Sequence, residues 1–187
     1  MSDTICKAYH YLSQSNWFGV KEGMFGRPNQ LMPYRPLVQL EGKGIPKWAH
    51  EMYIFAFRDT PMPKEWTSNS EYPDIWDRIM EHVHHGDPVL TMVQIDIQRK
   101  DKAYVVDWAY MESVRDELRK FSMLISTDDD RDKIKQASVK YANSRVPAAD
   151  YSGGYRLPEL VIANNISLDR IIELEECAIP CQRSSAL

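Results

Sequence analysis

Glu159 stands at the mouth of an apolar run, Leu157-Pro158-Glu159-Leu160-Val161-Ile162, that reads as a buried strand. A carboxylate at such a place is costly unless it is paired or used. Two readings are open: Glu159 begins an exposed edge strand, or it stabilises charge and takes up a proton in a reaction. The loop before it, Tyr151-Ser152-Gly153-Gly154-Tyr155, is flexible and aromatic, as substrate-contacting loops tend to be.

Other residue types along the chain have comparable potential. His10 lies in the aromatic segment Ala8-Tyr9-His10-Tyr11 and is either a satisfied core histidine or a site residue. Asn16 follows six residues on and reads by itself as a surface or capping residue. Arg58 closes the apolar run Met52-Tyr53-Ile54-Phe55-Ala56-Phe57. A guanidinium at a strand end suits a phosphate or carboxylate, with a surface pairing to Asp59 or Glu65 as the alternative. His82, His84 and His85 cluster at a predicted helix end, but residues one and two apart diverge on a helix. Their position fits the negative end of the helix dipole better than a metal, and no metal site is expected. Asp128-Asp129-Asp130 lacks the spaced pattern of a calcium loop and reads as a solvated cap. No Ser-His-Asp or Cys-His signature and no phosphate-cradling glycine motif after a strand is present, which argues against Rossmann and P-loop enzymes.

The elements that must position these residues alternate irregularly. Strands are predicted at Cys6–Leu12, Met52–Phe57, Val89–Ile97, Ala103–Asp107 and Leu160–Ala163. Helices are predicted from Ser13 to Gly23, with Ser13 or Ser15 as N-cap, then at Tyr72–His85, Met111–Leu124 and Asp130–Tyr141. The stretch Gly26–Pro46 reads as a long irregular loop, and Ile166–Leu174 as strand or short helix. The pattern is α+β, with central mixed or antiparallel sheets and flanking helices.

At 187 residues the expectation is a single domain spanning 1–187, with an irregular tail from about 177. The net charge is −4, which excludes a global basic field for non-specific nucleic-acid binding but not a local basic groove. Three cysteines, Cys6, Cys177 and Cys181, point to reduced thiols, with a Cys177–Cys181 pair or half a metal site as the alternative. No run of about 18 apolar residues exists, and Met1-Ser2-Asp3-Thr4 lacks a basic-then-apolar leader. A cytoplasmic protein, or one delivered into the cytosol of a target cell, without membrane contact is expected.

Taken in order, several of these segments resemble DarT-type ADP-ribosyltransferase toxins. Tyr9-His10-Tyr11-Leu12-Ser13-Gln14-Ser15-Asn16, closing at Gly23, resembles the opening strand and helix of that family. Tyr53-Ile54-Phe55-Ala56-Phe57-Arg58 with Pro61-Met62 resembles its aromatic strand and functional arginine. Val106-Asp107-Trp108 resembles a recurrent strand ending, and Leu157-Pro158-Glu159-Leu160-Val161 the strand with the catalytic glutamate. The resemblance covers positions 9 to about 171. Each motif is short, and their order carries the comparison. The segments 148–154 and 28–46 depart from the family, and both would touch an acceptor.

The resemblance implies an ADP-ribosyltransferase-like fold and an NAD-dependent mono-ADP-ribosyltransferase, a glycosyltransferase with NAD as substrate and no metal. It implies Glu159 and Arg58 as catalytic groups. It further implies that His10, Tyr11, Ser13, Asn16, Tyr53 and Arg58 bind NAD, and that Tyr151 and Tyr155 face the acceptor. The acceptor would be a nucleic-acid base, DNA or RNA, slightly ahead of a protein side chain. A neutralising antitoxin is an implied partner. A non-catalytic NAD-binding module and an NAD glycohydrolase remain open alternatives.

Overall fold

The computed structural model describes residues 3–22, 29–84, 89–174 and 177–178. Gly23, His85, Gly86 and Cys181 lie outside the described residues, as do the side chains of His84 and Cys177. In chain order, β1 (Thr4–Ser13) leads into α1 (Gln14–Glu22), then β2 (Gln30–Leu31), β3 (Arg35–Pro36) and β4 (Met52–Arg58). Helices α2 (Lys64–Thr67) and α3 (Ile75–His84) precede the β5 (Val89–Gln98) and β6 (Ala103–Asp107) strands. Next come α4 (Ala109–Glu112), α5 (Arg115–Ser122) and α6 (Asp128–Asn143). Strands β7 (Val146–Pro147), β8 (Pro158–Ile162), β9 (Ile166–Ser167), β10 (Ile171–Glu173) and β11 (Cys177–Ala178) complete the described chain. The protein is α+β, with a largely antiparallel sheet and six α-helices among the described residues.

The main sheet runs β10-β5-β1-β4-β8-β6-β7. Strand β1 pairs with β5 along its whole length, from Thr4↔Gln98 to Ser13↔Leu90. Its pairing with β4 is confined to Ala8↔Arg58 and Tyr9↔Phe57. Beyond Tyr9 the two strands part, and the sheet opens between its halves. Residue alternation then sorts the side chains. Ile54 and Ala56 of β4 join Leu160 and Ile162 of β8 in one core, covered by the loop of Tyr151 and Tyr155. Tyr53 and Phe55 pack with Val161 of β8 under α4 and α6. Phe57 joins Tyr9, Tyr11, Trp66 and the α3 residues Ile75 and Met80. A fully buried side chain of this size contributes roughly 2 kcal/mol. Trp66 adds an indole N–H bond to the Pro158 carbonyl at 2.9 Å, which fixes the start of β8.

Several elements differ from the sequence expectation for local reasons. Helix α3 begins at Ile75, not Tyr72, because Pro73 disfavours helical geometry at the residue before it. The Asn69 side chain accepts the amides of Glu71 and Tyr72 at 2.9 and 3.0 Å and holds the turn there. The expected Met111–Leu124 helix is two helices, broken at Ser113-Val114. The Ser113 hydroxyl donates to the Tyr110 carbonyl at 2.7 Å, a local bond that competes with helix continuation. The segment 26–46 is not wholly irregular: β3 pairs with β4, and β2 with β9. Strand β8 begins at Pro158, so Glu159 lies within the strand. It is no edge strand, since β4 and β6 flank it.

Helix α6 starts at Asp128, earlier than the hydrophobic pattern predicts, because Thr127 caps it. The Thr127 hydroxyl accepts the Asp130 amide at 3.1 Å, and the Asp130 carboxylate accepts the Thr127 amide at 2.9 Å. The acidic triplet is thus the first turn of a capping box. Thr127→Ala is expected to lower unfolding free energy by about 1 kcal/mol. Urea denaturation at neutral pH measures it, and an unchanged midpoint would show the cap to be idle.

Candidate functional site

The opening between β1 and β4 is the mouth of a cavity of about 1000 Å³, the upper end of the range for ligand pockets. Its walls come from the diverging half of β1, the N-terminus of α1, the segment around β3, the inner face of β4, and α3. Trp108, Glu112 and Glu159 close the far side.

His10 bridges the split. Its side chain is 3% exposed, and Nδ1 lies 2.6 Å from the Phe55 carbonyl oxygen. A carbonyl only accepts, so Nδ1 carries the proton and Nε2 presents a lone pair. Nε2 is buried, lacks a partner among the described residues, and belongs to a residue of the cavity wall. Burial pushes the His10 pKa down to about 4, and the Phe55 carbonyl opposes this only in part. The ring is therefore neutral at physiological pH, with one acceptor to offer.

Ser13 and Asn16 reach the same cavity from the start of α1. The Ser13 hydroxyl accepts the Asn16 amide at 3.3 Å, so Ser13 is the N-cap. Tyr11 lines the wall too, with its hydroxyl donating to the Pro61 carbonyl at 2.7 Å and its ring edge-on to Phe57 and Trp76.

Glu159 enters from β8. Strand alternation gives it the face of Val161, toward Phe55 and the cavity. The carboxylate keeps some exposure to the cavity, yet protein encloses it deeply enough that burial raises its pKa. Two groups act against that rise. Arg35 supplies a positive field, and the Tyr141 hydroxyl donates to Oε2 at 2.7 Å. Tyr141 is fully buried on the inner face of α6, with Trp108 edge-on to its ring at 5.7 Å. Burial, then the neighbouring Glu159, push the Tyr141 pKa well up, so Tyr141 remains a donor. Asp107 fixes the approach to β8: its carboxylate accepts the amides of Leu157 at 3.0 Å and Ala109 at 3.2 Å.

The expected residues divide into two groups. His10, Tyr11, Ser13, Asn16 and Glu159 meet in one cavity. Arg58 does not line it. It follows Phe55, Ala56 and Phe57, which do line the cavity, and lies at the end of β4. There Arg58 donates to the Tyr151 carbonyl at 2.9 Å and pairs with Asp59 at 3.1 Å. Tyr53 has the inward alternation but is wholly buried, its hydroxyl donating to the Trp48 carbonyl at 3.0 Å. Tyr151 and Tyr155 are also outside the cavity lining. Their rings meet at a tilt with centroids 5.0 Å apart, and the Tyr155 hydroxyl is tied to the Ser144 carbonyl. His82 lines the cavity, and among the described residues no His, Cys, Asp or Glu group is arranged to hold a metal. No described helix is long and apolar enough to cross a membrane.

Arg35, Tyr141, Glu112 and Arg78 are cavity or supporting residues that the sequence did not single out. Arg35 sits in a proline-rich stretch with no periodic signal, and Tyr141 falls on the apolar face of α6 like any core residue. Glu112 is buried and accepts from Arg78 at 2.5 Å.

No protein-family model, curated protein or solved structure matches the chain. What the site can do chemically is set by its own groups: a carboxylate of raised proton affinity, a neutral histidine acceptor, an arginine and an aromatic wall.

His10 also ties the site to stability. Its folded pKa is below the unfolded value, so its contribution is complete above pH 6.5 and is lost as pH falls toward 4. The loss across that window is about 3 kcal/mol. Urea unfolding at several pH values should show a steeper acid loss for the wild type than for His10→Gln. Parallel pH profiles would contradict a buried neutral histidine.

Proposed function

We propose that the chain is an NAD-dependent mono-ADP-ribosyltransferase, a toxin or effector with an ADP-ribosyltransferase-like fold. One observation carries this reading: Glu159 and His10, whose buried Nε2 has no partner among the described residues, line one large cavity, beside Ser13 and Asn16 at the start of α1. These are the residues for which the motif resemblance implies catalysis and NAD binding.

In this reaction the bond between the ribose C1′ and the nicotinamide nitrogen breaks, and its electron pair leaves with nicotinamide. Positive charge develops on the ribose, and a carboxylate beside it lowers the barrier through an interaction that strengthens in the transition state. The acceptor atom then bonds to C1′ and gives up its proton. Glu159 suits both duties. Burial raises its proton affinity toward that of a useful base, while Arg35 and Tyr141 favour its charged form. His10 accepts a ligand hydroxyl at Nε2, and Ser13 and Asn16 offer polar groups to the nicotinamide amide. Tyr11 and Phe57 supply aromatic surface for a ring.

The acceptor we favour is a nucleic-acid base. Lys43, Lys135 and Lys140 line a groove along α6 with Asp132 as its one carboxylate, a locally basic surface on a chain of net charge −4. A toxin acting in the cytosol would require a neutralising partner.

Glu159→Gln is expected to cut transfer by at least a hundredfold while leaving NAD affinity within a fewfold of wild type. Labelled NAD incubated with cell lysate reads the transfer, and near-normal labelling by the variant would refute the assignment. Label released by nuclease and resistant to protease identifies a nucleic-acid acceptor; the reverse identifies protein. Tyr141→Phe removes a donor from the ionised carboxylate, so the Glu159 pKa rises. The acid limb of the pH–rate profile should move to higher pH, with activity recovering in more alkaline buffer. An unmoved limb would mean that Tyr141 does not tune Glu159.

A further inference from the structure

The cavity wall holds two arginines whose charges are answered differently. Arg78 donates to buried Glu112 at 2.5 Å and to Asp74 at 3.0 Å, so its charge is already matched. Arg35 forms no ion pair among the described residues. Its guanidinium carbon lies 4.0 Å from the centroid of the Phe55 ring. Its backbone is held by the β3–β4 pairing Arg35↔Tyr53. Stacking of this kind spends the face of the guanidinium and leaves its N–H edges to bind a planar or tetrahedral anion bidentately.

The position of Arg35 relative to Glu159 adds a second constraint. The two groups feel each other, since Arg35 opposes the upward shift of the Glu159 pKa, yet they form no ion pair. Space therefore separates them, and both are part of the cavity wall. A diphosphate entering this cavity also meets the Glu159 carboxylate, since Glu112 is already matched by Arg78, and an unmatched cation offsets that charge.

We propose that Arg35 is the anion-binding residue of the cavity and holds the diphosphate of the dinucleotide, the place that the sequence motif gives to Arg58. The proposal rests on the reading of the cavity as an NAD site. Arg58 is not part of the cavity wall, and the Tyr151 carbonyl and Asp59 occupy it.

The test is calorimetric titration of the full chain with ADP-ribose, comparing Arg35→Gln with Arg58→Gln. Both substitutions remove one positive charge, so the change in net charge is the same in the two. Arg35→Gln should weaken ADP-ribose binding roughly tenfold or more, the scale of a lost charge-assisted hydrogen bond. Arg35→Lys should recover part of the loss, and Arg58→Gln should bind as the wild type does. Unchanged melting temperature in Arg35→Gln keeps the comparison free of unfolding. Equal affinity in Arg35→Gln and wild type overturns the subsite alone, as does a loss confined to Arg58→Gln. A wild-type chain that binds no ADP-ribose overturns the subsite and the NAD reading together.

Discussion

The parting of β1 from β4 is the constraint on which the rest of the structure depends. A continuous antiparallel ladder would close the sheet and leave no room for a ligand. Here the ladder between these strands stops after Tyr9↔Phe57, while β1 continues to pair with β5 up to Ser13. The backbone groups freed along β4 must find partners or stay in contact with water. His10 supplies one of them, since Nδ1 takes the Phe55 carbonyl that a fully paired β1 would have shared. The same bond decides the tautomer and turns Nε2 into an acceptor without a partner. The opening of the sheet and the chemistry of its histidine thus follow from one departure in strand pairing.

The second consequence concerns charge. Opening the sheet exposes the face of β8 that carries Glu159, and the surrounding helices keep that face away from bulk water. A carboxylate in such a place is unfavourable when isolated. Tyr141 from α6 and the field of Arg35 from β3 reduce the cost without neutralising the group. The support comes from three separate elements, and each is fixed by its own packing: α6 by its cap and buried face, β3 by its register with β4, and β8 by Asp107 and Trp66. Geometry held in this way is already formed before a ligand arrives, which is the condition for electrostatic stabilisation of a developing charge.

How much of this could be read from the sequence depended on whether the signal was local. Apolar runs and alternation located β1, β4, β5 and β6 closely, because strand burial is written into consecutive residues. The cap at Thr127 and the break at Ser113-Val114 were less visible, since side-chain bonds to nearby backbone override the hydrophobic period there. His10, Ser13, Asn16 and Glu159 could be proposed together from motif order, and the fold brings them to one cavity. Arg58 carries the same motif signal but does not line the cavity. Phe55, Ala56 and Phe57 before it all line the cavity, and its separation from them comes from the Tyr151 carbonyl, a partner 93 positions away that no local pattern announces. Arg35 and Tyr141 could not have been found, because each gains its role from a partner more than a hundred or just under twenty positions away.

The central claim is that NAD occupies the opening between β1 and β4, with His10 and Glu159 at its walls. The most direct measurement is an NMR titration of the full chain with NAD, following the imidazole nitrogens of His10 and the side-chain carboxyl of Glu159. The account predicts that His10 Nε2 shifts as its lone pair gains a donor, that Nδ1 changes little, and that the Glu159 carboxyl moves in step with it. NAD binding that leaves both side chains unperturbed, or that perturbs only the Arg58 and Tyr151 face, would contradict the account.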